Sequence, residues 1–181
     1  MKKLLAALAL CLCLASPLLA DELTGAVLLT IQSDLISSAG FGSQREKVDY
    51  LISRQWSSGV GTYSIDQVLT AAGDIAGGAS LTIDLIGGDA PLGGVASFAH
   101  LKALAVENVG STTLTVGSGS APILILGHAT DTAPILASGA LLLVAPGTGI
   151  SVTAGTADSI HIEAAAGGTG SYRLWAVGVS Q

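Results

Sequence analysis

The sequence predicts an all-β protein, an antiparallel β-sandwich or jelly roll, and three observations carry that prediction. First, strict alternation marks a strand with one face in a core and one in water. In the stretch Ala137 to Glu163 (ASGALLLVAPGTGISVTAGTADSIHIE), Ile150, Val152, Ile160 and Ile162 alternate with Ser151, Thr153, Ser159, His161 and Glu163. Second, turn-forming clusters such as Pro146-Gly147 and Ala154–Asp158 recur from Ser80 onward at spacings of roughly 8–12 residues, the rhythm of sandwich strands. Third, no helical period of useful length interrupts that run, which excludes a parallel α/β sheet. Composition agrees: aromatics make up 4% of the chain, while small, β-branched and turn-forming residues dominate.

In chain order, the first twenty of the 181 residues stand outside the predicted fold. Met1-Lys2-Lys3 is a positive n-region, Leu4 to Ala15 an apolar h-region, and Ser16 to Ala20 ends in a small residue. This is the pattern of a secretory signal peptide cleaved between Ala20 and Asp21. The run is short for a membrane span, so no stable span is expected after cleavage, although a retained anchor is the alternative. Both cysteines, Cys11 and Cys13, lie inside this segment, and the leucines before them do not fit a lipoprotein site. The expected mature chain therefore has neither disulfide nor thiol chemistry. Removing Lys2 and Lys3 leaves five of seven basic residues against thirteen acidic ones, a formal net charge of −8. That balance argues against nucleic acid and anionic lipid as partners. The expected location is secreted, periplasmic or at the cell surface.

Residues 21–62 form a predicted arm and 63–181 the sandwich domain. In the arm, Leu23 to Gln32 makes a strand with Val27, Leu29 and Ile31 on one face, and Ser33 to Gly42 a loop. Gln44 to Trp56 is charge-dense and reads two ways. Val48, Leu51 and Ile52 suit a short amphipathic helix, whereas Tyr50, Ile52 and Arg54 alternate as on a strand. Tyr63 to Leu69 is a short strand and Ala71 to Ala79 a flexible segment. Next come a strand from Ser80 to Ile86 and a loop from Gly87 to Gly94. A buried strand follows, His100 to Asn108, with Leu104 and Val106 inward; it turns as a hairpin into Thr112 to Val116. Ile123 to Leu126 is a further apolar strand, and Gly127 to Thr132 a loop. The last strand, Ser171 to Val179, sets Tyr172, Leu174 and Ala176 against Arg173, Trp175 and Val177. There is no exact internal repeat.

Two stretches carry a resemblance. SLTIDL, a Gly/Asp/Pro/Leu loop and FAHLKALAVENVGSTTLTVG stand in an order similar to that of bacteriophage virion-structural proteins. The closing part is more similar still, through Gly139, Pro146, Val152, Thr153, Ala154, Gly155, Thr156, Asp158 and Tyr172. The resemblance covers about residues 63–179. It implies a small β-sandwich that decorates a phage particle on the head or near the tail, without enzymatic activity, through repeated subunit contacts. The signal peptide departs from it, because virion proteins assemble in the cytoplasm. Met1 is the sole methionine, so an internal start needs a non-standard codon, for example at Leu23 or Val27. Either export is real or the signal has been joined to a virion domain; we take export as the working expectation.

Candidate sites are few. His161 and Glu163 share one strand face, and His100 with His128 would complete a three-histidine zinc set, although no spacing draws them together. Asp74, Asp84 and Asp89 among Gly77-Gly78 and Gly87-Gly88 lack the nine-residue calcium repeat, and Asp89 and Asp158 read as turn residues. Gly117-Ser118-Gly119-Ser120 lacks a nucleophile-elbow frame. No catalytic, metal or cofactor residue is assigned. Trp56, Tyr63, Tyr172 and Trp175 are the candidate core or interface anchors. The expectation is a non-enzymatic structural or surface protein, a homo-oligomer or bound to a virion or surface partner. The alternative is a secreted module that binds carbohydrate or another surface ligand through Gly87–Gly94 and Gly127–Thr132.

Overall fold

The computed structural model describes residue 23 and residues 25–38, 43–89 and 95–181, with the backbone alone for 29–38, 43–50, 52 and 89. The expected signal peptide, its Ala20–Asp21 cleavage site and the tip of the Gly87–Gly94 loop lie outside the described residues. Two long strands come first, β1 (Gly25–Ser38) and β2 (Ser43–Ser58). They pair antiparallel without a break from Gly25 opposite Trp56 to Ser38 opposite Ser43, forming a two-stranded ribbon. β3 (Ser64–Ile65) adds a short parallel pairing to the ribbon's root at Ser57 and Ser58.

The body follows as a doubled-over chain. Its strands are β4 (Gln67–Ile75), β5 (Ser80–Asp84), β6 (Ile86–Asp89), β7 (Val95–Asn108) and β8 (Leu114–Gly117). They continue as β9 (Thr132–Ile135), β10 (Ala140–Val144), β11 (Ile150–Ser151), β12 (Ser159–Ala164) and β13 (Gly170–Ser180). One sheet runs β10-β7-β13-β4, with β6 and β11 also on β7; the other runs β5-β12-β8-β9. The pairs nest: β8 with β9, β7 with β10, β5 with β12, β4 with β13, all antiparallel. A long hairpin folded over so that alternate pairs fall in opposite sheets is the jelly roll, and the sequence's all-β sandwich expectation holds.

The two inner faces form one core, with Leu104, Val106, Leu174 and Ala176 from the first sheet and Leu114, Val116, Ile160 and Ile162 from the second. Two bulges let β7 serve this core along its whole length. Opposite β13, Lys102 and Ala99 are each an extra residue, so the inward parity passes from Leu104 and Val106 to Leu101 and then to Phe98 and Ala96. Gly178 sits between these bulges, where a Cβ would stand 2.1 Å from the His100 carbonyl oxygen. Only glycine lets the backbones approach there.

Several expectations change. Gln44 to Trp56 is strand, not helix, because the alternation of Tyr50, Ile52 and Arg54 matches the pairing with β1. Residues 33–38, expected as loop, extend that pairing. Ala71 to Ile75, expected to be flexible, belongs to β4, where Ile75 is buried and the Tyr172 ring covers Gly73 from the neighbouring strand. The expected hairpin of β7 with β8 does not form: Val109 to Thr113 carries the chain from one sheet to the other. Ile123 and Ile125 are buried without being strand; Pro122 makes one bridge to Ser159, and the apolar pair plugs the core from an irregular segment.

Candidate functional site: the ribbon root and the adjoining sheet face

The outer face of the β10-β7-β13-β4 sheet is built of cross-strand rows, each fixed by register. At one end Ala140, Glu107, Arg173 and Ala72 stand side by side. Arg173 and Glu107 form an exposed ion pair at 3.7 Å, a geometry that adds little to stability in water. The next row is Leu142, Ala105, Trp175 and Thr70, in which Leu142 is 40% and Trp175 42% exposed. The third is Val144, Ala103, Val177 and Val68.

The ribbon lands on that third row. Trp56, which is 4% exposed, packs with Ile65 and Ala103, and Leu23, Val27, Val144 and Val177 close around them. Gly25, opposite Trp56, lies where a Cβ would be 2.6 Å from the Ile65 side chain, so the smallest residue lets the ribbon settle. Among the described residues β3 is the only strand that pairs with the ribbon, and it does so at the root. Beside the root an open cleft of about 680 Å³ is lined by Gly25, Ala26, Gln55, Trp56, Ser57 and Tyr63. The Tyr63 ring is 69% exposed, and the buried Trp56 Nε1 has no hydrogen-bond acceptor among the described residues.

Lys102 anchors the surroundings of the root from within. Its side chain is 1% exposed, and its ammonium donates to the carbonyl oxygens of Thr62 (2.8 Å), Thr148 (2.9 Å) and Gly147. Thr62 precedes β3, and Gly147 and Thr148 lie between β10 and β11, so one bulged residue ties the turn beside the ribbon to the sheet. Burial pushes its pKa below the ordinary lysine value. With all three donors engaged, it is a structural cation and not a free nucleophile. Its one signal in the sequence is that of a lone lysine inside the apolar run His100 to Val106.

The other sequence candidates are dispersed. His161 Nδ1 meets Thr82 Oγ1 across the strand pair at 3.2 Å, His128 Nδ1 meets Thr130 Oγ1 at 2.9 Å, and His100 stands on β7 in the other sheet. No group of three His, Cys, Asp or Glu able to hold a metal occurs among the described residues. Asp74 accepts from the Ser171 hydroxyl across the β4–β13 pair, while Asp84 accepts from the Ile86 N–H and Asp158 from the Gly155 N–H within their own turns. Glu163 is exposed on β12, and Ser118 has φ 57° in the turn after β8. Of the four aromatic anchors, Trp56 and Tyr172 are buried in the chain's own packing, whereas Tyr63 and Trp175 face outward. Among the described residues no helix is long and apolar enough to cross a membrane.

A jelly roll carrying an N-terminal β-ribbon is therefore the class that fold and surface define. Comparisons with protein-family models, curated proteins and solved structures find no match.

Proposed function

We propose that this protein is a non-enzymatic structural component that acts through protein–protein contacts, an exported domain of the kind seen in phage virion decoration. One observation carries the reading: a ribbon with 14-residue pairing is rooted on the outer sheet face, next to an exposed row holding Leu142 and Trp175. A two-stranded ribbon is marginally stable alone in water, so a ribbon this long makes physical sense as something a partner completes. An exposed Trp is the side-chain type that carries interface energy. Asp74, Asp84, Asp158, His128 and His161 are engaged in bonds to their own turns and strand neighbours. Sedimentation velocity of the full chain over a range of concentrations tests the reading. A defined oligomer without added ligand is expected, and a monomer throughout would contradict it.

A second reading, a module that binds carbohydrate, has one observation in its favour. The cleft at the ribbon root offers an exposed Tyr63 ring beside Gln55. A monomer whose melting temperature rises with an oligosaccharide, and does so less in Tyr63→Ala, is the outcome this reading expects.

A further inference from the structure

We propose that the ribbon of one copy docks, with its Val27–Trp56 side down, on the Leu142–Ala105–Trp175 row of a second copy. The inference rests on the structural reading above and names the surface through which the subunits meet. The chain itself displays the fit. Val27 and Trp56 at the ribbon root pack on Val144, Ala103 and Val177, and the receiving row lies two residues along each strand of the same sheet face. That row continues an interface the protein already makes with its own ribbon.

The ribbon has more of the same side to offer than its root uses. Register places Leu29, Ile31, Leu35, Val48, Tyr50 and Ile52 at positions of the Val27–Trp56 side, together with Arg54 and Glu46, whereas Asp34, Arg45, Lys47 and Asp49 fall on the other with Leu28, Ile36 and Leu51. At about 3.4 Å per residue, 14 paired residues reach about 45 Å, far beyond the width of the single row on which the root sits. Beyond the root, among the described residues, β2 pairs only with β1.

Charge selects the ribbon, not the body, as the occupant. Residues 25–58 hold three acidic and three basic side chains; residues 59–181 hold eight acidic and two basic ones. Of those two cations Lys102 is buried and Arg173 is paired with Glu107. Two bodies brought face to face repel, while a neutral ribbon meets an acidic body without that cost.

The test uses the full chain, two variants and their mixture, followed by sedimentation. Trp175→Glu puts a charge on the receiving row at a side chain already 42% exposed. Ile52→Glu puts one on the donating side of the ribbon, outside the jelly-roll core. Each variant is expected to raise the dissociation constant by at least about tenfold, with a melting temperature equal to that of the wild type when both are dilute enough to be monomeric. An equimolar mixture should regain part of the association, because the intact ribbon of one variant finds the intact row of the other. Leu142→Asp, at a side chain 40% exposed, repeats the row test should Trp175→Glu fold poorly. Variants that associate like the wild type, or a mixture with no recovery, overturn this docking mode and leave the structural reading standing. A wild-type chain that is monomeric throughout overturns both.

Discussion

Asn108 shows how one side chain closes one end of the jelly roll. It is fully buried at the end of β7, its Nδ2 donates to the carbonyls of Thr112, Ile135 and Leu136, and its Oδ1 accepts the Gly110 N–H. Asn108→Asp would turn a donor toward three carbonyl oxygens into a buried carboxylate. The expected loss is about 3–5 kcal/mol, read from urea unfolding, the range for an uncompensated buried charge. Lys102 gives a second test at this scale. Lys102→Met leaves three carbonyls without their donor, with an expected loss of about 1–3 kcal/mol at neutral pH. Because burial lowers the Lys102 pKa, the folded chain binds that proton less tightly than the unfolded one. Stability of the wild type relative to Lys102→Met should therefore rise with pH between the lowered value and the ordinary one of about 10.4. Tyr172, raised by burial, contributes stability that is lost as pH climbs through its folded pKa; it is common to both chains and cancels in the difference. A difference that falls with pH would contradict the burial of this cation. Asn108 was legible as a strand's exit residue. The role of Lys102 was not, because its partners are backbone carbonyls 40 and more residues away.

At the scale of elements, the ribbon is the part the sequence left most open. Val48, Leu51 and Ile52 fit a helical period while Tyr50, Ile52 and Arg54 fit a strand period, and only pairing with β1 decides between them. The partner strand lies beyond residues 39–42, whose sequence Ala39-Gly40-Phe41-Gly42 holds no two-residue hairpin dipeptide such as Asn-Gly, so local chemistry could not fix the register. Conversely, β13 was legible residue by residue: Tyr172, Leu174 and Ala176 face the core and Arg173, Trp175 and Val177 face away. Trp56 holds the ribbon to the body. Trp56→Ala should remove about 3–5 kcal/mol of packing at the root. It should also speed tryptic cleavage at Lys47 and Arg54 while the jelly-roll fragment persists. Equal cleavage rates in the two chains would show that the root does not anchor the ribbon.

For the whole molecule, the class of fold followed from alternation and turn spacing, but the order of strands did not. A hairpin between His100–Asn108 and Thr112–Val116 is the simplest local pairing. The jelly roll instead sends those strands to opposite sheets and pairs β4 with β13 near the far end of the chain. Nested long-range pairing of this kind leaves no local signature. The exposed Leu142–Ala105–Trp175 row was equally hidden, since its members come from three strands far apart in sequence. In the proposed assembly the ribbon of one copy is held against a second copy. Amide hydrogen exchange of the full chain at high and low protein concentration tests it most directly. Amides of residues 25–58 are expected to be protected at high concentration and to lose that protection on dilution, with β7 and β13 unchanged. Ribbon protection that does not depend on concentration would contradict that assembly.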